Sequence, residues 1–198
     1  LKRIEKVCRK HGLSYHLDGA RLFNALVEKG EDPKIYGKVF DTISVCLSKG
    51  LGTPVGSVLL SDEKTIRRAI RIRKLFGGAM RQVGYLAAAG IYALDNHVDR
   101  LSEDHRRARL LGQTLESCSY VNKVEPIDTN IVIFNLEDDV DETAFLKAMS
   151  EKNILMITMG QGKLRLVTHL DFTDDMLEVV LKELKELEKE QLQPELKE

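Results

Sequence analysis

Lys49 closes the run Ser44-Val45-Cys46-Leu47-Ser48-Lys49 and is followed by the glycine-rich turn Gly50-Leu51-Gly52-Thr53-Pro54. A lysine so placed can present its amine to the aldehyde carbon of a cofactor, and the flanking glycines let a ligand come close. The amine is a useful nucleophile only when burial or a nearby cation favours its neutral form. The apolar Ile43, Val45 and Leu47 predict such burial. Upstream, His16-Leu17-Asp18-Gly19-Ala20-Arg21 offers a carboxylate suited to a protonated pyridine nitrogen. Period-two alternation puts Leu13, Tyr15 and Leu17 on one face of a strand, and Ser14, His16 and Asp18 on the other, toward a ligand. Together, with the carboxylate strand ahead of the lysine strand, they read as a pyridoxal phosphate site. Taken singly, Lys49 also suits a surface lysine at a strand end, and Asp18-Gly19 a simple turn.

The elements that must position these groups alternate between strand and helix, which predicts an α/β fold. Ile4 to Lys10 reads as the end of a helix, Leu13 to Leu17 as a strand, Arg21 to Glu28 as a helix, and Thr42 to Leu47 and Val55 to Leu60 as strands. Asp62 to Leu75 is a helix with Ser61 as its cap, stopped by Gly77-Gly78. Gln82 to Ser117 is helical, with small residues at 87–90 and a bend near Asn96 or Asp99. A boundary at residue 118 divides a large-domain portion, 1–118, from a small α+β unit, 119–198. In the latter, Ile131 to Leu136, Ile154 to Thr158 and Lys163 to Thr168 are strands, and Glu142 to Glu151 is a helix. Thr173 caps a last helix whose stripe of Leu177, Val180, Leu181, Leu184 and Leu187 docks on the small sheet, and Gln191 to Glu198 is expected to fray.

With 198 residues and 43% apolar content, the chain can bury one large core or two small ones. Charged residues make up 31%, yet the formal net charge is −1, so no global field draws nucleic acid or an anionic membrane. No apolar stretch reaches membrane-spanning length, and Leu1-Lys2-Arg3-Ile4-Glu5 lacks signal-peptide features, which makes the cytoplasm the expected location. Cys8, Cys46 and Cys118 form no CxxC pair and read as reduced structural thiols, with Cys46 a small buried hydrophobe; no metal site is expected. Gly50, Gly52 and Gly56 do not form a dinucleotide fingerprint.

The runs His16–Arg21, Ser48–Gly52, Arg73–Gln82 and Arg165-Leu166-Val167-Thr168-His169-Leu170-Asp171 resemble those of the low-specificity L-threonine aldolases, pyridoxal phosphate enzymes of the aspartate aminotransferase fold type. The resemblance implies a mostly parallel large-domain sheet, followed by the small domain, in a chain that lacks the N-terminal phosphate loop and ring-stacking histidine. Lys49 becomes the Schiff-base lysine and Asp18 the partner of the ring nitrogen. Arg21 is placed near the ring hydroxyl and the substrate carboxylate. Arg165, on a strand where Leu164 and Leu166 face the other way, becomes the substrate anchor. Lys74 supports the carboxylate site, and Arg81 reaches the cofactor phosphate of a neighbouring subunit in a homo-oligomer. His16 lies on the cofactor side of its strand, or is a satisfied buried histidine. His97, His105 and His169 read as structural. The basic cluster Lys64, Arg67, Arg68, Arg71 and Arg73 reads as a solvated face, without the aromatics that nucleic-acid stacking needs.

The implied activity is retro-aldol cleavage of L-threonine or L-allo-threonine to glycine and acetaldehyde. The proton acceptor is assigned to a histidine or water outside this stretch. The alternatives are an aminotransferase or β-eliminating lyase of the same fold, or a remnant without catalysis.

Overall fold

The computed structural model describes residues 1–192. Helix α1 (Lys2–Lys10) is followed by β1 (His16–Gly19), α2 (Leu22–Lys29), a short α3 (Lys34–Val39), β2 (Thr42–Cys46) and β3 (Ser57–Leu60). The strands form one sheet in the order β1-β2-β3, with β1 parallel and β3 antiparallel to β2. The large-domain sheet described here is therefore mixed, not mostly parallel. Val39, Phe40, Ile43 and Val45 are buried together, with Tyr15, Leu17, Leu22 and Phe23 packed against them. Strand alternation thus places the apolar row under α2 and α3, as expected, although Leu13 stays exposed ahead of the strand.

Beyond β3 come α4 (Glu63–Leu75) and α5 (Gly84–Asn96). Asp62, not Ser61, caps α4: its carboxylate accepts from the Thr65 N–H at 2.8 Å. The Ser61 hydroxyl instead donates to the Asp41 carbonyl at 2.7 Å, tying the end of β3 to the start of β2. The long helical stretch breaks at residues 97–100, where the bend was expected, and continues as α6 (Leu101–Glu116).

Contacts divide the chain into two compact units, Leu1–Leu101 and Ser102–Glu198. The sequence reading counts α6 with residues 1–118, but Ala108, Leu111 and Leu115 of this helix are buried in the core of the second unit. There β4 (Val121–Val124), β5 (Ile131–Leu136), β6 (Ile157–Gly160) and β7 (Lys163–Val167) make an antiparallel sheet in the order β4-β5-β7-β6. Helix α7 (Glu142–Glu151) and α8 (Asp174–Glu186) complete it. Leu177, Val180 and Leu184 of α8 are buried in this core, so the expected stripe docks as foreseen. At the start of the stretch expected to fray, Lys189–Leu192 forms a 3-10 turn, Leu192 is buried, and its carbonyl accepts from the Asp141 N–H. The rest of that stretch lies outside the described residues.

Thr173 caps α8 as expected, accepting from the Met176 N–H, and the next residue carries an ion-pair cluster. The Arg107 Nε donates to the Asp174 carboxylate at 2.8 Å and Arg106 donates to the same oxygen, so the two guanidiniums hold this carboxyl below the ordinary value of 3.8. A depressed pKa in the folded state contributes stability that is complete above the unfolded value and disappears as pH falls through the folded one. Asp174→Asn is therefore expected to lower the urea midpoint at neutral pH, with the gap to the parent narrowing steadily below about pH 4; a gap independent of pH in denaturation series would contradict this account.

Candidate active site

Parallel pairing sets Asp18 opposite Ser44 and His16 opposite Thr42. The His16 Nδ1 and Thr42 Oγ1 lie 2.7 Å apart, so both side chains occupy the same face, opposite the buried Ile43 and Val45. His16 is exposed and hydrogen-bonded, not buried. Asp18 is exposed on this polar face, and its Oδ1 accepts from the Ala20 N–H at 3.1 Å. Oδ2 has no partner among the described residues. Gly19 is needed where the strand ends: a Cβ there would lie 2.6 Å from the Ser44 carbonyl oxygen. Arg21 stands at the N-cap of α2, half-buried.

Three residues after β2 the chain reaches Lys49. The Gly52 N–H donates to the Lys49 carbonyl at 2.9 Å, and the Thr53 N–H to the Leu47 carbonyl at 3.2 Å, closing a tight turn. Gly50 is buried, and a Cβ there would meet Asn24 Oδ1 at 2.8 Å and Leu101 Cδ2 at 3.0 Å; Gly52 adopts φ 68°. The expected burial of Lys49 itself is absent: Ile43 and Val45 point into the core, but Lys49 lies past the end of the strand and its side chain is exposed. Cys46 likewise is half-buried beside Ser48, with 3.6 Å between Sγ and Oγ, rather than part of the core. What the fold brings together is thus the carboxyl ends of two neighbouring parallel strands, one carrying Asp18 and the other leading to Lys49. Crevices at such strand ends are where open α/β sheets bind ligands.

Residues Lys74 and Arg81 are exposed, the first in the last turn of α4 and the second in the segment between α4 and α5. In the second unit, Leu164 and Leu166 of β7 are buried and Lys163, Arg165 and Val167 are half-buried on the other face, the alternation read from sequence. Arg165 stands between Ile133 and Ile157 of the flanking strands. Its Nε is buried without a hydrogen-bond partner. His105 is buried, His169 exposed, and no cluster of His, Cys, Asp and Glu that could hold a metal ion occurs among the described residues. No helix among them is long and apolar enough to cross a membrane.

Sequence reasoning missed Asn24, and it read His97 as structural without finding its partner. Asn24 is buried against Gly50, and the His97 Nδ1 lies 2.7 Å from the Leu51 carbonyl. The available signal was the spacing of Gly90, Ala93 and His97 along one face of α5. Gly50→Ala is expected to cost about 1–3 kcal/mol in urea unfolding, because the added methyl overpacks the turn against the buried Asn24 and Leu101; Gly37→Ala, within α3 and with nothing inside 4 Å, serves as the control with no loss of stability.

The sequence and fold were then compared with known proteins. The low-specificity L-threonine aldolase of Escherichia coli K12 is 43% identical over 177 residues, 89% of this chain and 52% of that protein. Low-specificity L-threonine aldolase 1 of Arabidopsis thaliana is 37% identical over 175 residues, 87% of this chain and 49% of that protein. The structure of Leishmania major threonine aldolase superposes with a TM-score of 0.75 at 22% identity, covering 92% of this chain and 54% of that one, which fixes the fold as part of the aspartate aminotransferase type. The chain spans about half the length of the curated relatives it matches. Residues 1–139, which include both the Asp18 strand and the Lys49 turn, match the model of a family described as beta-eliminating lyase, and the chain belongs to that family.

Proposed function

We propose that the chain carries the lysine and ring-partner half of a pyridoxal phosphate site, in a lyase that cleaves L-threonine or L-allo-threonine to glycine and acetaldehyde. The observation that carries this reading is the convergence of Asp18 and the Lys49 turn at the carboxyl ends of β1 and β2. The donor set fits the cofactor: an exposed amine for its aldehyde carbon, and a carboxylate with one oxygen still unpartnered for its protonated ring nitrogen. When bound, the cofactor supplies an electron sink for the charge left on the substrate's α-carbon.

The chain's residues supply the rest. Lys49 would hold the cofactor through its exposed amine, the group suited to an aldehyde carbon. Asp18, its Oδ1 fixed by the Ala20 N–H, keeps the heterocycle protonated. His16 and Arg21 flank it as further cofactor contacts. Arg165 is the proposed anchor of the substrate carboxylate, and its buried, unpartnered Nε supports that role: folding leaves a charged donor unsatisfied that a carboxylate would complete. Holding the carboxylate fixes which bond to the α-carbon stands ready to break. Lys74 is proposed to support this anchor, and Arg81 to reach the phosphate held by a second copy in a homo-oligomer.

In the full chain, Lys49→Ala is expected to abolish both the borohydride-sensitive visible absorbance formed with pyridoxal phosphate and acetaldehyde release from threonine. Keto-acid formation in place of acetaldehyde would reassign the reaction to transamination. Arg165→Ala is expected to lower kcat/KM for threonine about 10–100-fold, with Arg165→Lys recovering only part, since an ammonium cannot pair with a carboxylate through two parallel bonds. Unchanged kcat/KM in Arg165→Ala would remove the anchor from the proposal.

A further inference from the structure

We propose that His97 is a positioning residue for Lys49, an inference that rests on the reading of Lys49 as the cofactor-bonding amine. Gly90, Ala93 and His97 lie three and four residues apart and so share one face of α5. That face grips the lysine turn on both sides. A Cβ at Gly90 would sit 3.3 Å from Leu47 Cδ1, so the helix backbone runs close against the Leu47 side chain there. Ala93 is buried with Leu51 and Leu101, and Leu47 packs against the same cluster. His97 then reaches the Leu51 carbonyl with Nδ1 at 2.7 Å. Lys49 stands midway between the two gripped residues, 47 and 51.

The chemistry of the His97 contact is specific. Leu51 is 2% exposed, so its carbonyl oxygen depends on a protein donor. A carbonyl only accepts, so Nδ1 carries the hydrogen. Two further contacts hold this residue: the backbone N–H of His97 donates to the Ala93 carbonyl at 2.8 Å, which fixes its main chain, and the Tyr92 ring meets the imidazole edge-on at 5.4 Å between centroids. Lys49 is exposed, so among the described residues no packing around its own side chain fixes where the amine starts from. Its position is set by the backbone turn, and the turn is held by α5 through residues 47 and 51.

The test compares His97→Leu, which removes the donor, with His97→Asn, whose amide N–H occupies the place of Nδ1–H. Two measurements are made on the full chain. The first is amide hydrogen exchange without any cofactor, read at Gly52 and Thr53, whose N–H groups close the turn onto Lys49 and Leu47. The second is the rate at which pyridoxal phosphate plus borohydride modifies Lys49, resolved by peptide mapping. His97→Leu is expected to speed exchange at these two amides by about five- to tenfold, as loss of one hydrogen bond would. It is also expected to slow Lys49 modification on the order of tenfold or more through misplacement of the amine. His97→Asn should restore both.

Unchanged exchange at Gly52 and Thr53 in His97→Leu would overturn the proposal, as would faster exchange with an unchanged rate at Lys49, or failure of Asn to rescue. A merely structural role predicts faster exchange spread over β2 and α5, with Lys49 modified at the parent rate in folded molecules, and that result also overturns it. The exchange arm contains no cofactor, so it reports on the turn even if modification maps to a lysine other than Lys49, the result that would instead remove the reading of Lys49 itself.

Discussion

The parallel hydrogen-bonded register of β1 against β2 is the constraint on which the candidate site depends. With Asp18 opposite Ser44, both strands end on the same side, and the crossover through α2 and α3 covers only the face that carries Ile43 and Val45. The other face keeps His16, Asp18, Thr42 and Ser44 available. A slip of one residue would turn Asp18 toward the apolar layer and Leu17 outward, so the packing of half-buried Leu17 and buried Val45 fixes the position of the carboxylate as firmly as it fixes the strand. Gly19 allows this: the Ser44 carbonyl lies where a Cβ would be, so any larger residue would push the strand ends apart at the point where they must converge.

The two proposed charged groups are controlled by different means. Arg165 lies within a strand, and its side chain takes its direction from the pleat: Leu164 and Leu166 are held in the core, and the guanidinium follows from alternation. Lys49 lies beyond a strand, where no pleat acts, and the chain substitutes turn hydrogen bonds, a buried glycine and a helix face. That difference explains why Arg165 is half-buried while Lys49 is exposed. It also explains why apolar residues before Lys49 misled the sequence reading: a strand buries alternate residues along its own length and says nothing of the first residues past its end.

Legibility followed the same division. Elements with one strong period were readable, among them the α8 stripe of Leu177, Val180 and Leu184 and the alternation of β5 and β7. Asp18 and Arg165 were legible as to face for this reason. The six-residue α3 and the four-residue β4 were not read, since their sequences, Lys34-Ile35-Tyr36-Gly37-Lys38-Val39 and Val121-Asn122-Lys123-Val124, show no apolar alternation or stripe. The α4 cap was misread because Ser61 and Asp62 are equally good caps by type, and the choice was made by a distant acceptor, the Asp41 carbonyl. The assignment of α6 to the second unit was illegible because a helix sequence announces an apolar face and not which sheet will cover it. Asn24, and the partner of His97, were missed for a related reason, since polar residues that satisfy a distant carbonyl or pack on a glycine carry no local signature.

The unpartnered Nε of Arg165 bears on why an arginine stands on this strand of the second unit. Leaving a buried charged donor unsatisfied costs about 1–3 kcal/mol or more, and an apolar residue between Ile133 and Ile157 would avoid that cost entirely. The surrounding sheet tolerates the loss because its other face is densely filled: Phe134, Leu164, Phe145 and Leu115 are all fully buried in one core. Stability alone therefore gives no reason for an arginine at this position, whereas pairing with a carboxylate does. The same reasoning does not extend to Asp18, which is exposed and costs the fold little. For that residue the argument comes from register and from the neighbouring strand, so the two halves of the proposal rest on independent physical grounds.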